Sequence, residues 1–263
     1  MLDRQRMEAA GDILWDAWQE GRHIPSLPEA LRPASRAEGY AVQARFERRS
    51  ARPILGWKIA ATSAAGQAHI GVDGPLAGRM LAEAVHPDGA TLSLGANRML
   101  VAEVEFGFRL ARSLPPRSVP YTQAEVMAAV AALHLVMEVP DSRFDDFVTA
   151  GGPQLIADNA CAHQFVLGSE VRADWRGLDL AAHRVVARVA GKAECEGCGA
   201  NVLGDPRIAL TWLANELSQH GLGLAEDQIV TTGTCVTPFA IAPGDSAEGD
   251  FGPLGGISAR FLA

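Results

Sequence analysis

The sequence predicts a mixed α+β fold in which a β-rich body follows a helical N-terminal segment. Helical patterns fill the first 50 residues, strand-like segments dominate the remainder, and the later helical patterns do not alternate regularly with strands. Dinucleotide-binding, P-loop and serine-elbow motifs are absent from the sequence. Nicotinamide, ATP and serine-hydrolase chemistry therefore have no direct support.

The N-terminal segment contains two predicted helices. Residues 5–21 carry an apolar stripe at helical spacing, and Gly21 is a plausible stop. Residues 35–50 give the second helix after a proline-containing connection. We therefore expect a helical extension over residues 1–50 and one β-rich domain over residues 51–263.

Strands are predicted where apolar, β-branched and aromatic residues cluster between turn residues. The predicted strands are Ile54–Ala60, Met99–Arg109, Leu135–Val139, Leu155–Asp158, Gln164–Leu167, Val185–Val189, Ile229–Thr232 and Ile257–Phe261. Helices are expected to interrupt them at Thr122–Leu133 and Pro206–Gln219, and the second has the clearer helical periodicity.

Composition excludes several classes of function. The 23 Lys and Arg residues against 31 Asp and Glu give a net charge of -8 without a basic cluster, which argues against a nucleic-acid partner. No apolar run reaches membrane-spanning length, and the charged N-terminus does not resemble a signal peptide. We therefore expect no membrane partner and a cytoplasmic protein.

The four cysteines are expected to be reduced thiols in that compartment. Cys195 and Cys198 form a single Cys-x-x-Cys in what reads as a glycine-rich loop. A structural zinc site needs a second pair of ligands at matching spacing, and the sequence has none.

Three glutamates are the main candidates for a functional site. Glu103 and Glu105 lie two apart in an apolar segment, so they would share one face of a strand, with Val104 and Phe106 on the other. Glu138 ends a later apolar segment. Neighbouring buried carboxylates repel one another, and a hard divalent cation removes that cost. The pattern predicts a Mg²⁺ or Mn²⁺ site, while a solvated strand face continued by Arg109 is the alternative for the doublet.

A series of short motifs resembles the 2-keto-4-pentenoate hydratase and 4-oxalocrotonate decarboxylase family of the fumarylacetoacetate hydrolase superfamily. The resemblance covers nearly the whole chain, and its specificity lies in the order of the motifs. In chain order, they are Gly56-Trp-Lys58-Ile-Ala-Ala-Thr62-Ser63, Gly71-Val-Asp73-Gly-Pro75, Glu103-Val-Glu105, Glu138, Asp141-Ser142-Arg143, Ile156-Ala-Asp158-Asn159-Ala160, Val202-Leu-Gly204-Asp-Pro206, Thr232-Gly233-Thr234 and Pro243-Gly244-Asp245.

The resemblance implies a β-rich mixed roll of the fumarylacetoacetate hydrolase C-terminal-domain type and a homo-oligomer. It implies that Glu103, Glu105 and Glu138 bind Mg²⁺ or Mn²⁺, which chelates a small 2-oxo acid. The expected reaction is hydration of a 2-hydroxy-2,4-dienoate to a 4-hydroxy-2-oxo acid in the meta-cleavage breakdown of aromatic compounds. Vinylogous decarboxylation of 4-oxalocrotonate on the same scaffold is the alternative.

Other matching positions suggest roles in this chemistry. Lys58 is a candidate for proton transfer or for neutralising the substrate, with a surface lysine as the alternative. Asp158 is a candidate for orienting water or a proton-transfer group, and the alternative is that it only satisfies turn backbone. Arg143 could clamp a substrate carboxylate or form a surface salt bridge with Asp141 or Asp145.

The remaining candidates for substrate binding are Gly233 and Thr234, with a tight turn as the alternative, and His69 and Cys161. Two positions depart from the family pattern: Leu76 stands where many relatives have an aspartate, and Cys161 where many have a serine. The loss of the aspartate weakens the case for a hydratase over a decarboxylase and suggests a bulkier or more apolar substrate.

Two other functions are weighed against these. A C–C bond hydrolase would need a His-Glu pair that activates water, and none is evident in the sequence. A catalytically silent copy that binds small acids or an oligomeric partner would have no need for the costly glutamate cluster.

Overall fold

The computed structural model describes residues 2–192 and 194–263. The helices are α1 (Arg4–Gln19), α2 (Arg36–Arg49), α3 (Ala64–His69), α4 (Gln123–Met127), α5 (Gly152–Ala157) and α6 (Pro206–Gln219). The strands are β1 (Gly56–Ala60), β2 (Leu76–Met80), β3 (Val85–Pro87), β4 (Ala90–Ser93), β5 (Val101–Leu110), β6 (Val130–Val139), β7 (Gln164–Glu170), β8 (Arg184–Val189), β9 (Cys195–Cys198), β10 (Ile229–Thr234), β11 (Phe239–Ala240), β12 (Ser246–Asp250) and β13 (Gly256–Leu262).

The strands form two mixed sheets. The larger runs β2-β1-β10-β5-β6-β7-β3, with β11 paired to the free length of β5, and the smaller runs β4-β13-β12-β8-β9. Pairings β1–β10, β3–β7 and β4–β13 are parallel, and the others are antiparallel. This mixed topology confirms the predicted β-rich α+β class.

The main core lies between the two sheets. Val104 and Phe106 are fully buried on one face of β5, and the ring of Phe106 lies edge-on to Phe251, 5.1 Å between centroids. Full burial of such a side chain contributes about 1.5–3 kcal/mol. This apolar face fixes β5 against the second sheet and leaves its other face, which carries the glutamates, for the site.

Helix α2 packs on α1 and on α5. The N-caps of α1 and α2 are the side chains of Asp3 and Ser35, which accept hydrogen bonds from the first turn of each helix. Trp15 and Phe46 meet edge to face, 5.8 Å between ring centroids. Both predicted helices are confirmed, whereas a domain boundary near residue 50 stays a prediction.

Three predicted elements differ from the structure. The segment Leu155–Asp158 is not a strand but belongs largely to α5, because Gly151 at φ +83° and Pro153 start a helix there. The predicted helix Thr122–Leu133 ends at Met127, and β6 begins at Val130, because pairing with β5 overrides a run of apolar residues that suits either structure. Cys195–Cys198 is an edge strand rather than a loop.

None of the helices in the described ranges is long and apolar enough to cross a membrane.

The parallel contact of β1 with β10 depends on Gly56, and we expect Gly56→Ala to destabilise the protein. A Cβ atom at Gly56 would lie 1.8 Å from the carbonyl oxygen of Ile229. Overpacking typically costs about 1–3 kcal/mol, occasionally more, and here backbone must move. Urea unfolding measures the loss. Gly177→Ala is the control, since its Cβ would meet nothing within 4 Å; equal stability of the two variants would contradict the prediction.

Candidate metal centre

The three glutamates meet on the face of β5 and β6 that points away from the main core. Glu103 lies directly opposite Glu138 in the antiparallel register, and Glu105 lies one pleat further along β5. One carboxylate oxygen from each residue lies within 4.8 Å of one from each of the others. Cross-strand pairs share a face, so the register itself brings these charges together.

Burial makes this cluster costly without a cation. Glu105 and Glu138 are fully buried. Glu105 Oε1 and both carboxylate oxygens of Glu138 lack a hydrogen-bond donor in the described residues. Unpaired buried carboxylates with several free oxygen lone pairs are the ligand set that hard divalent cations take. The residues present therefore fit such an ion.

Lys58 supplies the positive charge beside the cluster. Its Nζ lies 3.0 Å from Glu138 Oε1, an ion pair without hydrogen-bond alignment, and 3.0 Å from the carbonyl oxygen of Ala160. Three ionised glutamates and one ammonium leave two negative charges. A divalent cation would balance that remainder.

The pKa values of the cluster reflect the same shortage of positive charge. Burial, opposed by Lys58 and reinforced by Glu103, raises the pKa of Glu138 to about 8. Burial also raises the pKa of Glu103, and burial with the neighbouring carboxylates raises that of Glu105 well above its ordinary value. Burial alone would lower the pKa of Lys58, but Glu138, Glu103 and Glu105 outweigh it and raise that pKa. Lys58 is therefore an ammonium.

A bulge in β10 orients Glu105. Gly233 has φ +103°, and its N–H donates to Glu105 Oε2 over 2.9 Å. A Cβ atom at Gly233 would lie 2.2 Å from Thr62 Oγ1, so only glycine fits here. The hydroxyl of Thr234 donates to the carbonyl oxygen of Val236. Both groups thus have protein partners, as the tight-turn alternative expects, and substrate binding by Gly233 or Thr234 stays a prediction.

Asp158 and Arg143 form a buried ion pair. The carboxylate of Asp158 accepts hydrogen bonds from the Ser142 hydroxyl, the Arg143 amide and Arg143 Nε. The guanidinium also donates to the carbonyl oxygens of Asp158 and Ala162. A surface salt bridge of Arg143 with Asp141 or Asp145 was therefore the wrong expectation. Both side chains are committed to holding this turn, which argues against the predicted carboxylate clamp and proton-transfer role.

Comparison with known proteins identifies the family. A family model described as fumarylacetoacetate (FAA) hydrolase C-terminal matches residues 60–261. This chain belongs to that family.

Relatives of the fumarylacetoacetate hydrolase family match the chain from end to end. A 2-keto-4-pentenoate hydratase from Paraburkholderia xenovorans (strain LB400) is 31% identical, covering 99% of this chain and 96% of its own. A 4-oxalocrotonate decarboxylase from Pseudomonas putida is 27% identical, covering 99% and 98%. The solved 4-oxalocrotonate decarboxylase from Pseudomonas putida G7, complexed with magnesium and adipate, superimposes with a TM-score of 0.90 at 27% identity, covering 100% and 99%.

The other predicted site residues lie in different surroundings. His69 is exposed at the end of α3, with its ring 6.0 Å from that of Phe147. Cys161 is half-buried, and burial, then Asp158, raises the pKa of its thiol to about 12. Leu76 is buried at the start of β2, on the same face as Lys58. Substrate contact by His69 or Cys161 stays a prediction.

A cavity of about 450 Å³ lies apart from the glutamates. Its lining includes Trp18, His23, Asp141, Arg143 and His163 and none of the three carboxylates. The chemistry selects the carboxylate cluster, because its buried negative charge is only partly balanced by Lys58.

Sequence reasoning missed Thr62, Gly78 and the contacts of Asn159. Thr62 packs on Gly233, and Gly78 packs on the backbone of Asn159. A glycine in the middle of the apolar segment Leu76–Met80 was the available signal, since such glycines mark a close backbone approach.

Divalent-metal binding is expected to release protons and to strengthen as the pH rises towards 8. Glutamates with raised pKa values hold protons below that pH and must lose them to ligate. The affinity should rise about tenfold per pH unit for each proton released. Calorimetry with Mn²⁺ in buffers of different ionisation enthalpy counts the protons.

Two variants test the source of these protons. Glu138→Gln should release fewer of them. Glu125→Gln should change nothing, because Arg117 and Thr122 hold the pKa of Glu125 at about 2. Affinity independent of pH between 6 and 8 would contradict this account.

Proposed function

We propose that this protein is a metal-dependent hydratase that adds water to a 2-hydroxy-2,4-dienoate and yields a 4-hydroxy-2-oxo acid in aromatic meta-cleavage catabolism. The observation that carries this proposal is the triad of Glu103, Glu105 and Glu138 beside Lys58, in which three ionised carboxylates would leave two negative charges for a divalent cation to balance. Full-length relatives named 2-keto-4-pentenoate hydratase, at 31% identity, support the choice of reaction.

The three glutamates would hold Mg²⁺ or Mn²⁺. When bound, that ion would act as a Lewis acid towards the 2-oxo oxygen, where negative charge develops during both ketonisation and water addition. The protein's own share is to fix the carboxylates: the β5–β6 register sets Glu103 against Glu138, and the Gly233 amide fixes one oxygen of Glu105. Because these carboxylates are already in place, they need not reorganise when the substrate binds.

Lys58 is proposed to act as a charged donor at the substrate. An ammonium has three N–H donors, and the Ala160 carbonyl and Glu138 occupy at most two of them. The remaining donor is available to a substrate oxygen. Its charge also lowers the cost of bringing an anionic acid to a carboxylate cluster.

The distal end of the substrate is proposed to be uncharged. The buried cations of the described residues are Lys58, Arg79 and Arg143. Each already has an acidic partner: Glu138, Glu47 and Asp158, respectively. A second carboxylate on the substrate would find no unpaired buried cation, and Leu76 adds apolar surface on the Lys58 face.

Decarboxylation of a 4-oxalocrotonate-type acid is the second candidate. The superposition on a 4-oxalocrotonate decarboxylase at a TM-score of 0.90 favours it. Loss of CO₂ leaves the same type of enolate, so the same carboxylates and Lys58 would serve it. The product distinguishes the two reactions, since only hydration retains every carbon.

We also propose that the enzyme is a cytoplasmic homo-oligomer. The family resemblance supports assembly, and light scattering of the purified protein would measure the state.

The hydratase proposal predicts metal-dependent loss of dienol absorbance. Metal-stripped protein with freshly generated 2-hydroxypenta-2,4-dienoate should be inactive until Mg²⁺ or Mn²⁺ is added, and the product should be 4-hydroxy-2-oxopentanoate. Glu103→Ala should lower kcat/KM at least about a hundredfold, the scale of losing an electrostatic contact made in the transition state. Glu170→Ala is the control, since that glutamate is exposed and pairs with Arg109. No turnover despite metal binding would refute the hydratase assignment.

The distal-charge proposal predicts a preference among substrates. A dienoate with a methyl group at C5 should be turned over as well as or better than the unsubstituted acid, because the methyl group meets apolar surface. A dienoate with a distal carboxylate should have kcat/KM lower by about tenfold or more, since that charge is left unpaired. Initial rates across the series measure this, and a preference for the dicarboxylate would favour the decarboxylase.

A further inference from the structure

The turn formed by residues 158–161 has an unusual backbone. Asn159, Ala160 and Cys161 have φ values of +53°, +50° and +59°. Left-handed conformations are unfavourable for residues with a Cβ atom, and consecutive ones are rare outside glycine-rich turns. Such strain persists where surrounding contacts over-determine it, and it concentrates at functional sites.

The turn is tied to β2 by Asn159. The side-chain oxygen of Asn159 accepts from the Arg79 amide over 2.6 Å, and its side-chain nitrogen donates to the Arg79 carbonyl oxygen over 2.8 Å. The backbone carbonyl of Asn159 rests on Gly78, where a Cβ atom would lie 2.2 Å from that oxygen. A side chain at position 78 would therefore lift the turn off the strand.

Both ends of the turn are also tied to residues 141–143. The Arg143 guanidinium donates hydrogen bonds to the carboxylate and to the backbone carbonyl oxygen of Asp158. The Asp141 amide donates to the Cys161 carbonyl oxygen over 2.9 Å. Between these two anchors, the Ala160 carbonyl oxygen points at Lys58 Nζ, 3.0 Å away.

We propose that the 158–161 turn is a positioning device for Lys58, with Asn159 and Gly78 as its positioning residues. A lysine side chain is a flexible stem that ends in a point charge. Beside three carboxylates, its ammonium has several attractive positions. The hydrogen bond to the Ala160 carbonyl oxygen holds the ammonium in one of these positions. It thereby fixes the directions in which the other two N–H groups of Lys58 point. This inference rests on the proposed function only for the catalytic use of those directions.

The chain provides a matched control for Asn159. The side chain of Asn215 makes the same two bonds with the backbone of one residue, accepting from the Tyr121 amide over 2.7 Å and donating to its carbonyl oxygen over 3.0 Å. Asn215 lies in α6, outside the contacts of the carboxylates and Lys58 described above. Asn159→Ala and Asn215→Ala thus remove equivalent bonds, one pair at the turn and one pair elsewhere.

Lys58 can be observed directly, because the sequence has just two lysines, Lys58 and Lys192. Protein labelled with ¹³C at lysine Cε gives two NMR signals, which Lys192→Arg assigns. We expect Asn159→Ala to shift or broaden the Lys58 signal in the metal-free protein. Asn215→Ala should leave that signal unchanged, while both variants lose thermal stability.

Kinetics provide the second measurement. Asn159→Ala should lower kcat roughly tenfold or more, because small misplacements of a reacting group are costly. The affinity for Mn²⁺ should stay within about twofold, since the carboxylates are not moved, and kcat should fall by more than KM rises. Asn215→Ala should retain the wild-type kcat.

The outcomes separate the two proposals. An unchanged Lys58 signal with kcat equal to that of Asn215→Ala would overturn the positioning role. A shifted signal in a protein whose wild type does not hydrate the dienoate would uphold the positioning role and reject the hydratase. Asn159→Gly removes the same two bonds, tolerates the φ of +53° and adds no charge, so it serves as the second variant if Asn159→Ala does not fold; it should also shift the Lys58 signal, and no shift would overturn the proposal.

Discussion

Most other features of the site follow from the repulsion among three clustered carboxylates, two of which are fully buried. Glu103, Glu105 and Glu138 lie on paired strands, so the β5–β6 register that builds the core also forces the charges together. Burying them costs far more than a single hydrogen bond returns. The surrounding structure meets that cost only in part, through Lys58 and the Gly233 amide.

The site also contains backbone segments in conformations unfavourable for most residues. Gly233 and the 158–161 turn both use left-handed conformations, and each is locked by close packing, against Thr62 in one case and Gly78 in the other. Both features direct a backbone polar group at the charged cluster, an amide at Glu105 and a carbonyl at Lys58. Strain of this kind is typical of sites that must keep their groups in place before the substrate arrives.

Arg143 and Asp158 illustrate how contacts revise an interpretation based on residue type. An arginine and an aspartate near a predicted oxo-acid site suggest a clamp and a proton carrier. Their mutual hydrogen bonds instead use both side chains to fix the turn that contacts Lys58. Removing either partner would leave the other buried and unpaired, so the pair is a structural unit that supports the site.

The sequence alone predicted the fold class, most strands, the N-terminal helices and the glutamate doublet, because alternation and capping are local properties. It also determined the family, through the order of weak motifs. Tertiary structure was needed to show that β6 takes the last four residues of the predicted helix Thr122–Leu133, since strand pairing outweighs local preference. It alone brought Lys58 to Glu138. Their strands are three positions apart in the sheet, about 14 Å at ~4.8 Å per step, and sheet curvature with two long side chains closes that gap.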